Sequence, residues 1–159
     1  MLTVLECKVI IKKYQTVLPI NLLAIAGELG LKIYEVSNWD INLSGKIIRD
    51  TSSGSPSGYI IYINAKHPFV RKRFTIAHEI AHFIYHKEFI GDGIVDDGLY
   101  RSDLSNEQEA MANKVAAEIL MPASVLREEA IRSKGSIDEL AKKFEVSQAA
   151  MAIRLGSPC

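Results

Sequence analysis

Arg73-Phe74-Thr75-Ile76-Ala77-His78-Glu79-Ile80-Ala81-His82 decides the reading of this chain, because it sets two histidines four residues apart inside an apolar run. From Pro68 and Phe69 onward, Phe74, Ile76, Ala77, Ile80, Ala81, Phe83 and Ile84 make the segment apolar over much of a helical surface. Such a helix sits at the centre of a fold, not on its outside. Residues four apart lie nearly one above the other, so His78 and His82 aim two imidazoles at one point while Glu79 leaves from the adjacent side. This is the donor set of a metal hydrolase, in which a metal polarises a carbonyl and acidifies water while Glu79 moves the proton as general base. The plainer alternative is a structural helix with two satisfied histidines.

Zinc needs a third protein ligand and one open position. Ser105-Asn106-Glu107-Gln108 has capping-box spacing and opens a second helix through Glu109, Ala110, Ala112, Val115, Ala116, Ile119 and Leu120. Glu109 and Asn113 are four apart on it. An acidic loop lets the chain return so that Glu109 faces the histidines as third ligand, and Asn113 lies one turn along to hold a ring N–H. Glu107 and Asp103 are rivals for the third place, although a carboxylate at Glu107 is favoured simply by the helix N-terminus beside it. His86 continues the four-residue spacing but stands about 12 Å of helix rise beyond His78, too far for one metal to take all three, so it reads as a helix-terminal or rim residue. His67, beside Asn64 and Lys66, is either structural or close to the substrate path. Tyr85 and Tyr100 are both able to donate to a developing oxyanion, and spacing does not choose between them.

Outward from these helices, the 159 residues are about one domain's worth. Lys plus Arg equals Asp plus Glu at 19 each, so no global field attracts nucleic acid or an anionic membrane. Cys7 and Cys159 sit at opposite ends and form no metal-site spacing, which suggests a reducing compartment. Glu6, Lys8, Lys12 and Lys13 interrupt any apolar leader, and no long uncharged apolar run follows. A soluble cytoplasmic protein with no membrane contact is expected.

Pro19-Ile20-Asn21 opens a first helix that ends at Gly30. Residues 31–36, 41–48 and 59–64 read as strands, and 50–58 as a polar turn. No connection among them is long enough for a crossover helix, which predicts a small, mostly antiparallel sheet. Phe89 to Asp103 reads as a glycine-broken acidic loop whose spacing is not that of an EF-hand. Pro122 begins a further helix, and a second capping box at Ser136 opens two short ones joined near Val146-Ser147. The expectation is a single α+β domain over 1–159, with a helical C-terminal lobe from about residue 123.

The block from Arg73 to His82, taken with Glu109-Ala110-Met111-Ala112-Asn113-Lys114-Val115-Ala116-Ala117-Glu118-Ile119-Leu120-Met121-Pro122, closely resembles the ImmA/IrrE family of metallopeptidases. The resemblance implies a zincin-like helical core, zinc bound by His78, His82 and Glu109, and Glu79 as the base. Val115 departs from the Phe often found there, a difference of packing that leaves the chemistry untouched. It further implies a regulatory protease that cuts a helix-turn-helix repressor or antitoxin, in the setting of mobile elements, prophages or stress responses. Manganese suits the same three ligands, after zinc.

Two other classes compete. One is a metal-binding or toxin-like partner of such a regulator that never turns over substrate. The other is a regulator that itself contacts DNA, since residues 136–156 have the cadence of a helix-turn-helix. Its basic residues are nearly matched by acidic ones, so direct DNA binding is not expected. Lys66, Arg71, Lys72 and Arg73 form a basic stretch that is either a solvated face or a rim for an acidic partner.

Overall fold

The computed structural model describes residues 1–91, 93–97 and 104–156. The chain opens with helix α1 (Val4–Lys13), started by a reciprocal capping box between Thr3 and Glu6 and burying Cys7 and Ile11 one turn apart. Helix α2 (Leu22–Leu29) starts where the Asn21 side chain accepts the Ala24 N–H and ends at Gly30, whose φ of 81° is open to glycine. Glu28 of α2 accepts from Lys13 and Tyr14, tying the two helices together.

Strands β1 (Lys32–Val36), β2 (Leu43–Arg49), β3 (Tyr59–Asn64) and β4 (Ile94–Asp97) form one sheet in the order β1-β3-β2-β4. β2 pairs antiparallel with both β3 and β4, but β1 and β3 run parallel, with Tyr34 opposite Tyr62. The sheet is therefore mixed. A helix is not the only return path between parallel strands: here β2 runs back and lies on the far side of β3. The loop expected at 89–103 also differs, since it holds β4, after a 3-10 turn at Lys87–Phe89. With Ile94 and Val95 alone between glycines and aspartates, that strand has no pattern of its own and exists by pairing with the edge of β2.

Helix α3 (Phe69–Tyr85) packs on β2 and β3 with one side and on helix α4 (Asn106–Leu120) with another. All of its residues from Thr75 to Ile84 are buried. Helices α5 (Ala123–Arg132), α6 (Ile137–Phe144) and α7 (Gln148–Arg154) complete a predominantly helical α+β structure. Ile25, Ile47, Ile61, Ile80, Phe83, Leu120 and Phe144 are among the core side chains, drawn from both sheet and helices.

Arg73 joins distant parts of this core. It is only 9% exposed, and its guanidinium donates to the carbonyls of Ile20, before α2, and Glu145, after α6, at 3.0 and 3.1 Å. Charged donors of this kind contribute about 1.5–3 kcal/mol per bond. We expect Arg73→Met to lower unfolding stability by about 2–4 kcal/mol in urea titrations, since both carbonyls lose a charged donor. The exposed i,i+4 pair of Lys142 and Asp138 is the control: Lys142→Ala should cost at most about 0.5 kcal/mol.

Candidate metal centre

The buried middle of α3 places His78, Glu79 and His82 at 3%, 0% and 0% exposure. Polar groups so deep need partners. The Nε2 atoms of His78 and His82 approach to 3.0 Å, as the four-residue spacing allows. Glu109 arrives from the first turn of α4, with Oε2 3.3 Å from His78 Nε2 and Oε1 3.5 Å from His82 Nε2. The three ligand atoms are the one such His, Cys, Asp and Glu group found among the described residues.

These separations suit a metal. Two atoms each bonded at 2.0–2.1 Å to a tetrahedral zinc lie about 3.3 Å apart, which is the size of the triangle formed by the two imidazoles and the carboxylate. The outer ring nitrogens support the same use. Nδ1 of His78 lies 2.8 Å from Oδ1 of Asn113, one turn after Glu109 on α4, so the ring donates there and its Nε2 lone pair is directed into the triangle. Nδ1 of His82 lies 2.9 Å from Nδ1 of His86.

His86 is 4% exposed, deep inside the structure instead of at a rim. Burial pushes its pKa below the ordinary histidine value, the positive forms of His82 and His78 push the same way, and Glu109 opposes them. His86 stands outside the group of His78, His82 and Glu109, and its four-residue spacing from His82 brings it against the far side of that ring. The i,i+4 repeat from His82 was the signal for this contact.

Gly45 is a second residue whose role was not read from the sequence. It lies on β2 where the strand crosses α3, and a Cβ there would stand 2.5 Å from Thr75 Cγ2 and 3.1 Å from Glu79 Oε1. Only a residue with no side chain lets the sheet come down onto the helix beside the Glu79 carboxylate. A glycine inside a strand pattern is the available sign of such close approach.

The remaining sequence expectations sort by geometry. Glu107 is exposed at the start of α4 and stands apart from the cluster, whereas Asp103 and Tyr100 lie outside the described residues. His67 Nε2 donates to the Ile41 carbonyl at 2.6 Å and is 4% exposed, which makes it a pin for the segment before β2, not an open rim. Asn64 secures the same segment through the carbonyls of Asp40 and Leu43. Tyr85 turns its ring toward Lys8 of α1, 6.0 Å away. The basic stretch is used internally: Lys66 donates to Trp39, Arg71 to Ser44 and Lys72 to Glu35, beside the contacts of Arg73.

Fold and donor set together define a potential metal site held between paired helices above a small sheet. The sequence profile of the IrrE N-terminal-like domain matches residues 26–156, and the chain belongs to this metallopeptidase family. It is 36% identical over 99 residues to the radiation response metalloprotease IrrE of Deinococcus radiodurans, an alignment covering 58% of this chain and 29% of that protein. Its fold is similar to that of a Mycobacterium tuberculosis transcriptional regulator, with a TM-score of 0.64 at 16% identity over 97% of this chain and 46% of the other. The chain thus spans less than half the length of either protein.

Adding a methyl at Gly45 should be costly: we expect Gly45→Ala to destabilise the protein by about 1–3 kcal/mol in urea unfolding. Thr75→Ser removes the clashing Cγ2, so the double variant should recover part of that loss. Equal stability of wild type and Gly45→Ala would show that the contact is not tight.

Proposed function

We propose that the protein is a zinc-dependent endopeptidase of the cytoplasm whose substrate is a helix-turn-helix repressor or antitoxin. The observation that supports it most is the triangle of His78 Nε2, His82 Nε2 and Glu109, set one residue from a buried glutamate on the same helix. Membership of a metallopeptidase family supports the reaction class, and the substrate class rests on the resemblance to ImmA/IrrE proteins. Manganese is the second metal that the same donors suit.

His78, His82 and Glu109 are the residues that hold the metal, which when bound supplies Lewis acidity toward a carbonyl and lowers the pKa of water. Asn113 orients His78 by accepting its Nδ1–H. Glu79 takes the proton of the water that adds to the peptide carbonyl and delivers it to the departing amine. Gly45 leaves room beside its carboxylate, since a Cβ there would stand 3.1 Å from Oε1. We treat residues 1–159 as one catalytic domain, with the helices from about residue 123 as its C-terminal lobe.

A DNA-reading role for that lobe gains little from its charges. Lys142 pairs with Asp138 at 3.0 Å and Lys143 with Glu129 at 2.8 Å, so the cations that would meet phosphates already have acidic neighbours. Among the described residues no helix is long and apolar enough to cross a membrane.

The test separates metal from chemistry. Alanine at His78, His82 or Glu109 should abolish stoichiometric zinc binding, while Glu79→Gln should retain zinc and lose cleavage of the helix-turn-helix regulator encoded beside the gene. If the zinc-loaded wild type and Glu79→Gln leave that regulator equally intact, the protein is a metal-binding partner of it, or the regulator is not its substrate.

A further inference from the structure

We propose that His86 is a positioning residue for the metal centre, holding His82 in the one tautomer that directs an Nε2 lone pair at a bound metal; this rests on the zinc-site reading above. A neutral imidazole carries one N–H, so the proton arrangement along the chain Asn113, His78, His82 and His86 is a matter of counting. Asn113 Oδ1 can only accept, which places the proton of His78 on Nδ1 and its lone pair on Nε2. At the other end, the 2.9 Å approach between the Nδ1 atoms of His82 and His86 requires one to donate and the other to accept.

Only one choice leaves a usable site. Were His86 the donor at Nδ1, the proton of His82 would lie on Nε2, aimed into the triangle where a metal must sit. With His82 as donor, both Nε2 atoms present lone pairs, an arrangement that their 3.0 Å approach permits once a cation lies between them, and in that loaded site His86 carries its own proton on Nε2. Metal-ligating histidines usually donate their second N–H to a carboxylate, a backbone carbonyl or water. Here another imidazole fills that post, held at 4% exposure against a fully buried His82. The backbone explains why it falls there: His86 is the C-terminal cap residue of α3, with φ −123° and ψ 23°, and its N–H still bonds the carbonyl of His82 at 2.9 Å. The last turn therefore folds the ring of His86 back over the residue one turn earlier.

Zinc affinity measured by chelator competition on the full chain tests the proposal without an activity assay. His86→Phe keeps a ring of similar size and removes the acceptor, and should weaken zinc binding about 10–100-fold. His86→Asn, which returns an amide oxygen near the place of Nδ1, should recover most of that loss, whereas a role in packing alone predicts the reverse order. Nitrogen-15 spectra of zinc-loaded wild type should show His86 as the Nε2–H tautomer. Unchanged zinc affinity in His86→Phe, no recovery in His86→Asn, or an Nδ1–H tautomer at His86 would overturn the role of His86. Failure of wild type to bind zinc at all would defeat the underlying metal-site reading instead.

Discussion

Satisfying polar side chains inside a buried helix is the constraint on which this structure turns. A buried donor or acceptor left without a partner costs about 1–3 kcal/mol, and α3 carries several such groups where its neighbours press closest. Three of them are met from different directions. Asn113 of α4 meets His78, the end of α3 itself supplies His86 for His82, and the carbonyls of Ile20 and Glu145 receive Arg73. Because Glu109 and Asn113 stand one turn apart on α4, a single placement of that helix brings both to the histidines. Sliding α4 along α3 by a turn would lose the two contacts together.

Among the described residues the sheet contributes a floor and no member of the His78, His82 and Glu109 group. β2 crosses α3 at Gly45, where the lack of a side chain leaves room for Thr75 and for the buried Glu79 carboxylate. Helices and strands hold side chains more narrowly than loops do, and all of the cluster residues lie on α3 and α4. The same economy appears in the charges. Lys66, Arg71, Lys72 and Arg73 all bond to other parts of the chain, but only Arg73 does so from a buried position, while Lys66 and Arg71 stay exposed.

Much of the helical frame was legible from local chemistry. Gly30 ends α2 and Ser105 with Gln108 opens α4, because caps answer backbone groups within a few residues. By the same rule Thr3 and Glu6 announce α1, although the lysines that follow make its apolar stripe narrow enough to overlook. The parallel pairing of β1 with β3 was not legible, because strand partners are chosen by the packing of whole sheet faces and not by the length of one connection.

The sequence by itself determined that His78 and His82 share one helical face, since periodicity alone puts residues four apart there, and it made Glu109 and Asn113 a matched pair by the same geometry. Only the tertiary structure decided that α4 lies against α3 in the register that closes the triangle, that His86 is buried against His82, and that Gly45 stands over Glu79. Those three contacts join side chains through the arrangement of neighbours in space or the bend of a helix end. Periodicity fixes which residues share a face, but depth of burial and the meeting of two faces depend on how every element packs at once.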